Sequence, residues 1–325
     1  MGFYEDGVWH DDKDRTDKSG AFQRPVTKFR NFITPDGSPG PTGDGGFPAD
    51  AGRYHLYVSM ACPWAHRTLI FRKLKKLDNV ISVSDVSPDM GSIGWTFDKA
   101  AGSSGDHLYG VAKMGDIYIK ADPKFSGRVT VPVLWDKKKE TIVSNESAEI
   151  IRMFNSAFDA FTNDRTDYSP AALRGEIDAI NERVFTTVNN GVYRAGFATT
   201  QQAYEQAFHA LFETLAALEA TLSKQRYLVG HALTEADWRL FTTLIRFDAV
   251  YYSHFKCNLR RIVDYPNLSN YLRELYQVPG VAETVSIPEI KRHYYGSHRG
   301  LNPTGIVPVG PALDFNAPHD RARLK

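Results

Sequence analysis

Cysteine is scarce in this sequence, with two residues in 325. Two thiols cannot build a disulfide framework or a Cys-rich zinc site, so no metal is expected. An excess of one charge sign is lacking too. Lys and Arg total 39 against 38 Asp and Glu, a formal net charge of +1. A dedicated DNA- or RNA-binding protein normally carries a strong basic excess, so nucleic acid is not an expected partner. No apolar run approaches the roughly 20 residues that span a bilayer, so a membrane partner is not expected either. Met1 to Lys18 is polar and acidic, which fits neither a signal nor a transit peptide. The expectation is a soluble protein of a reducing compartment, the cytoplasm. What is present suffices for real cores: 42% hydrophobic and 24% charged residues exclude global disorder. At roughly 150 residues per domain, the length calls for two domains.

The first 52 residues read as an irregular arm. Between Asn31 and Gly52 stand Pro35, Gly37, Pro39, Gly40, Pro41, Gly43, Gly45 and Gly46, a density that makes turns rather than helix. Ordered structure then begins sharply. Tyr54 to Ser59 is rich in strand formers, and Met60 to Pro63 reads as a turn. Trp64 to Leu77 has Ile70, Leu74 and Leu77 at helical spacing, and Val80 to Val86 alternates as a strand. Ser87 to Gly127 shows no clear period; a segment of that length is functional or carries short helices of its own. Val129 to Trp135 and Glu140 to Val143 read as a hairpin turning at Lys137 to Lys139, with a helix from Ser147 to Phe154. The order β–α–β, insert, β–β–α over 53–164 is that of a thioredoxin-like domain. From about residue 165 the period becomes helical. Leu173, Ile177, Ile180, Val184 and Val188 are one apolar stripe; Phe208, Leu211, Leu215, Leu218 and Leu222 are another. The expected fold is therefore an α/β half followed by an all-α half over 165–286, with 287–325 as a C-terminal extension.

The chemistry concentrates at Cys62-Pro63-Trp64-Ala65-His66-Arg67, where a strand turns into a helix. A thiol over a helix N-terminus meets partial positive charge and free N–H groups, which favour the reactive thiolate. Pro63 suits the first helical turn, where its missing N–H costs nothing. His66 and Arg67 would add positive potential. The position three after Cys62 is Ala65, where a dithiol oxidoreductase carries its resolving cysteine. Cys62 therefore needs an external thiol to complete a redox cycle, and glutathione is the obvious candidate. Cys257, far along the helical half, reads as a small buried hydrophobe. Val131-Pro132 stands where a thioredoxin-like domain places a cis proline opposite the catalytic turn. The backbone before such a proline pairs with a peptide substrate like an added strand. Ser144-Asn145-Glu146-Ser147 opens a helix. The helix N-terminus suits a carboxylate and Glu146 an amine, the two groups of glutathione's γ-glutamyl end. The plainer reading is a cap supplied by Ser144 or Asn145. Thr234 and Asp237 resemble a capping box, a structural role.

Together these residues resemble the glutathione transferases, and most closely the glutathionyl-hydroquinone reductases of the xi class. The Cys-Pro-Trp-Ala form is that branch's; omega-class relatives usually carry Phe or Tyr in place of Trp64. The resemblance spans nearly the whole chain, from Gly7-Val8-Trp9-His10 to the stretch Lys291 to Gly305. It implies reduction of glutathionyl-hydroquinones to hydroquinones, with Cys62 carrying glutathione as a mixed disulfide that a second glutathione resolves. It implies glutathione contacts by Trp95, Arg128, Val131, Glu146 and Ser147. It places Tyr193 and Tyr294 at the aromatic half of the substrate as catalytic phenols, with Trp64 as an apolar wall and His293 and Tyr295 nearby. A homodimer is the implied assembly. Two other readings stand beside it: an omega-like thiol transferase or dehydroascorbate reductase, and a non-catalytic module on the same fold. A dead member would lack the nucleophile or the Glu146-Ser147 pair; both are here.

Overall fold

The computed structural model describes residues 2–10 and 16–324. They gather into two compact units. One holds the N-terminal strands, Pro25–Thr166 and Thr284–Ser297; the other holds 16–24, Asp167–Glu283 and the chain from His298 onward.

The first unit is built on a four-stranded sheet in the order β4-β3-β6-β7. Its members are β3 (Tyr54–Val58), β4 (Ser82–Asp85), β6 (Val133–Asp136) and β7 (Thr141–Ser144). Strands β3 and β4 run parallel, joined through helix α1 (Pro63–Leu74); β6 and β7 are antiparallel additions. Every residue of β3 is buried, and Leu56 faces Leu134 in register. Each such side chain contributes roughly 1.5–3 kcal/mol by leaving water. Charge is buried beside them: Arg53 donates through Nε and Nη2 to Asp136, whose side chain is fully enclosed. Helix α3 (Ser147–Ser156) packs against α1, and the short α4 (Asp159–Thr162) follows it. The Ser87–Gly127 insert does carry a helix, α2 (Met114–Ala121), which buries Met114, Ile117 and Tyr118.

The N-terminal arm is not wholly irregular. Strands β1 (Phe3–Glu5) and β2 (Val8–His10) form a hairpin, and β1 pairs with β5 (Gly127–Arg128) in a second sheet. Three-residue strands are too short to show a period, so only turn chemistry at Asp6-Gly7, both in the left-handed region, marked them. Further on, Asn31 donates to the Val143 carbonyl and Asn145 to that of Phe29, so the arm covers the free edge of β7. Of the expected strand across Val129 to Trp135 only the part from Val133 forms, because Pro132 offers no N–H to a ladder.

The second unit is helical: α5 (Arg174–Val184), α6 (Gly191–Gly196), α7 (Gln201–Leu222), α8 (Glu235–Arg246), α9 (Tyr252–His254) and α10 (Pro266–Tyr276). Wider π-type turns at Phe185–Asn189 and Phe247–Tyr251 continue α5 and α8. Asp237 is structural: its carboxylate accepts from Thr234 N and Oγ1, Leu228 N and Tyr271 Oη, all within 3.0 Å. The chain from His298 runs largely without regular structure to Arg321. That guanidinium is fully buried and donates to the carbonyls of Leu222, Gln225 and Arg226 at the end of α7. The last helix, α11 (Ile287–Ser297), belongs to the first unit. Among the described residues, no helix is long and apolar enough to cross a membrane.

Candidate active site

Cys62 caps α1. Its φ and ψ, −78° and 122°, are extended, while its carbonyl already accepts the first helical bond from His66. Pro63 occupies the first helical position, and the first turn holds no acidic residue. The geometry is thus what a strand running into Cys-Pro dictates: the side chain stands at the positive end of the helix. The residue is partly exposed, and its Sγ donates to the Val131 carbonyl at 3.4 Å. The Val131-Pro132 peptide bond is cis. The residue three after Cys62 is a fully buried alanine, Ala65, so no second thiol stands one turn below Cys62.

The Arg67 guanidinium lies 4.6 Å from the Trp64 ring centroid and donates to Ser147 Oγ at 3.4 Å. It ties the tryptophan to the start of α3. His66, fully buried, shares a 2.8 Å hydrogen bond with Thr284 Oγ1, joining α1 to the segment that leads into α11. Nothing in the local sequence announces a partner 218 positions away.

At the start of α3 the cap is Glu146, not Ser144 or Asn145. Its Oε1 accepts from Ala148 N at 3.1 Å, and Oε2 from Thr27 Oγ1 at 3.3 Å. Ser144 serves one step earlier, accepting from Glu146 N. The chain turns one residue later than the usual cap residue types suggested, because β7 extends through Ser144. A carboxylate has about four lone-pair sites, so capping leaves Glu146 able to accept an amine as well. Ser147 is buried at the first helical position.

Arg128 lies in β5, opposite Phe3 of β1. Trp95 is 4% exposed, and its indole stacks on His293 at 4.7 Å with 21° between planes. His293 Nδ1 donates to the Pro88 carbonyl at 2.8 Å, since that carbonyl can only accept. Arg292 pairs with Asp89, and Ser297 Oγ accepts from Met90 N, so α11 grips the insert that bears Trp95. Tyr294 and Tyr295 are both buried on α11.

Tyr193 lies in the helical unit. Its ring sits among Phe22, Phe197, Tyr251 and Phe255, with the Arg24 guanidinium 5.0 Å from its centroid. Arg24 is held by Asn190, to which Nε donates at 2.7 Å. Gly196 has no room for a side chain against Phe255, which lets α6 lie close to that ring. Tyr251 was not singled out from the sequence; it is fully buried 6.1 Å from Tyr193, inside a π-type turn that no apolar period reveals. Such turns are frequent at functional sites.

Comparison with known proteins decides the family. Residues 61–157 match the glutathione S-transferase N-terminal domain and residues 201–274 its C-terminal domain. The glutathionyl-hydroquinone reductase YqjG of Escherichia coli (strain K12) is 58% identical over 99% of this chain and 98% of its own. The chain belongs to the glutathione S-transferase family. A second relative of this transferase, the glutathionyl-hydroquinone reductase PcpF of Sphingobium chlorophenolicum, is 53% identical over 96% of this chain and 97% of its own. The glutathione-bound structure of YqjG superposes with a TM-score of 0.92 at 56% identity, covering 99% of both chains. The Xi class transferase of Natrialba magadii gives 0.92 at 48%, covering 100% of this chain and 97% of that one. The xi-class resemblance carried by Cys-Pro-Trp-Ala holds, and the thioredoxin-like and helical halves are those of a glutathione transferase.

Proposed function

We propose that this chain is a glutathionyl-hydroquinone reductase with Cys62 as nucleophile and glutathione as the thiol that regenerates it. The observation that carries the reading is a partly exposed thiol at a helix N-terminus, with alanine at the resolving position, in a chain 58% identical to such a reductase.

The Cys62 thiolate attacks the sulfur of the substrate's glutathionyl group. A Cys62–glutathione disulfide forms and the bond from sulfur to the aromatic carbon breaks, its electron pair going to that carbon. The carbon takes a proton and hydroquinone departs. A second glutathione thiolate attacks the glutathione sulfur of the mixed disulfide, releasing glutathione disulfide and restoring Cys62. The aromatic ring is thereby reduced by two electrons and two glutathione sulfurs are oxidised.

Glutathione is held with its cysteinyl backbone on Val131 and its γ-glutamyl end on Glu146 and Ser147. Arg128 supplies a cation for a carboxylate, and Trp95 closes the insert side. Tyr193 and Tyr294 serve the hydroquinone oxygens, where a phenol stabilises the departing form, and Trp64 walls the ring. The enzyme acts as a cytoplasmic homodimer on small molecules, without metal, membrane or nucleic acid. Turnover on a glutathionyl-hydroquinone, dehydroascorbate and a small mixed disulfide tests the assignment. The first should dominate; a preference for either of the others makes the chain an omega-like thiol transferase or dehydroascorbate reductase.

A further inference from the structure

Two loops of the first unit carry the proposed glutathione contacts, and one buried hydroxyl joins them. Tyr118 of α2 is fully buried, edge-on to Phe29 and close to Phe125. Its Oη donates to the Thr130 carbonyl at 2.9 Å and accepts from Thr130 N at 3.3 Å. It also accepts from Asn145 Nδ2 at 3.1 Å. Thr130 directly precedes Val131, whose carbonyl faces the Cys62 thiol; Asn145 directly precedes Glu146 and Ser147. Burial raises the phenol's pKa, which keeps its proton on oxygen and its donation to Thr130 in place.

We propose that Tyr118 and Asn145 are positioning residues for glutathione, their hydrogen bond setting the Thr130–Pro132 loop and the turn from β7 into α3 at the spacing one glutathione needs. This rests on the proposed use of Val131, Glu146 and Ser147. A tripeptide held at its middle residue by one loop and at its γ-glutamyl end by the other is sensitive to the separation of those two anchors. Neither side chain needs to touch it. Tyr118 reaches both loops from outside the strands and helix that bear them, so the spacing does not depend on β6 and β7 alone. The pair acts on every step that binds a glutathionyl group, the conjugate in the first half-reaction and free glutathione in the second.

Tyr118→Phe removes one oxygen and keeps the ring packing. It leaves groups of Thr130 and the buried Asn145 without their Tyr118 partner, and Asn145→Ala removes the other end of the same link. Each is expected to raise KM for both glutathione and the conjugate about fivefold to tenfold, with kcat within about twofold of wild type. The double variant should be no worse than the poorer single one, because both delete one link. Iodoacetamide labelling of Cys62 should be unchanged, which separates loop spacing from damage to the catalytic turn. Calorimetric titration with glutathione sulfonate should show the same weakening without turnover. Unchanged KM and unchanged sulfonate affinity in Tyr118→Phe, with wild type binding normally, overturn the proposal. A fall in kcat alone, or additive effects in the double variant, overturn it as well. Failure of wild type itself to bind the sulfonate instead removes the glutathione reading beneath it.

Discussion

The two cysteines of this chain stand in opposite surroundings. Cys62 caps a twelve-residue helix, is partly exposed and points its sulfur at a backbone carbonyl. Cys257 follows α9 in the helical unit, is wholly buried, and its Sγ donates to the Phe255 carbonyl at 3.8 Å. Burial pushes the Cys257 thiol far up, out of the range where it ionises in ordinary buffers. On the proposed function, the same atom is a reagent in one place and a small hydrophobe in the other. Helix terminus and access to solvent make the difference, not residue type.

Substitution breaks the contrast most sharply. Cys62→Ser should reduce turnover of a glutathionyl-hydroquinone on the order of a thousandfold or more, read by steady-state kinetics. Cys257→Ala should leave turnover within about twofold and cost about 1 kcal/mol of stability, read by denaturant unfolding. Iodoacetamide followed by peptide mapping should modify Cys62 in the native protein and leave Cys257 unmodified until the chain unfolds.

Next in size is the support around the reactive thiol. Arg67→Met removes the guanidinium between Trp64 and Ser147. It should lower kcat/KM about tenfold, with Arg67→Lys recovering only part, since Lys lacks the planar fork that spans both partners.

Acid sharpens the comparison in a different currency. Each unit buries a neutral histidine. His55 sits between Ser82 and Ser84 with its pKa lowered to about 3, chiefly by desolvation. His254, next to His298, is lowered to about 4 for the same reason. In the unfolded chain both titrate near 6.5. Between these values the unfolded state binds more protons, so stability is full above about pH 6.5 and falls as pH drops toward 4. Thermal unfolding from pH 7 to pH 4 should show that loss, and His55→Gln should flatten part of it.

What could be read from the sequence follows from how local each feature is. A strand running into Cys62-Pro63 specifies helix N-terminus and thiol in six consecutive residues. The long apolar stripes of α5 and α7 declared a helical half. Val131-Pro132 was legible through element order, since a lone proline in a strand says little. The hidden features depend on contacts distant in sequence. His66 meets Thr284, Tyr118 meets Asn145 and Thr130, and α11 returns to grip Pro88, Asp89 and Met90. Glu146 was named for an amine, and its role as the helix cap went unread because Ser and Asn beside it are commoner caps.

The central claim is that Cys62 takes the glutathionyl group and has no thiol of its own to release it. Wild-type protein mixed with a glutathionyl-hydroquinone in the absence of free glutathione tests this in one turnover. Intact-mass measurement should show a single glutathionyl group, mapped to Cys62, with one equivalent of hydroquinone released and nothing further until glutathione is added. Repeated turnover without added glutathione, or a glutathionyl group on another residue, would contradict the account.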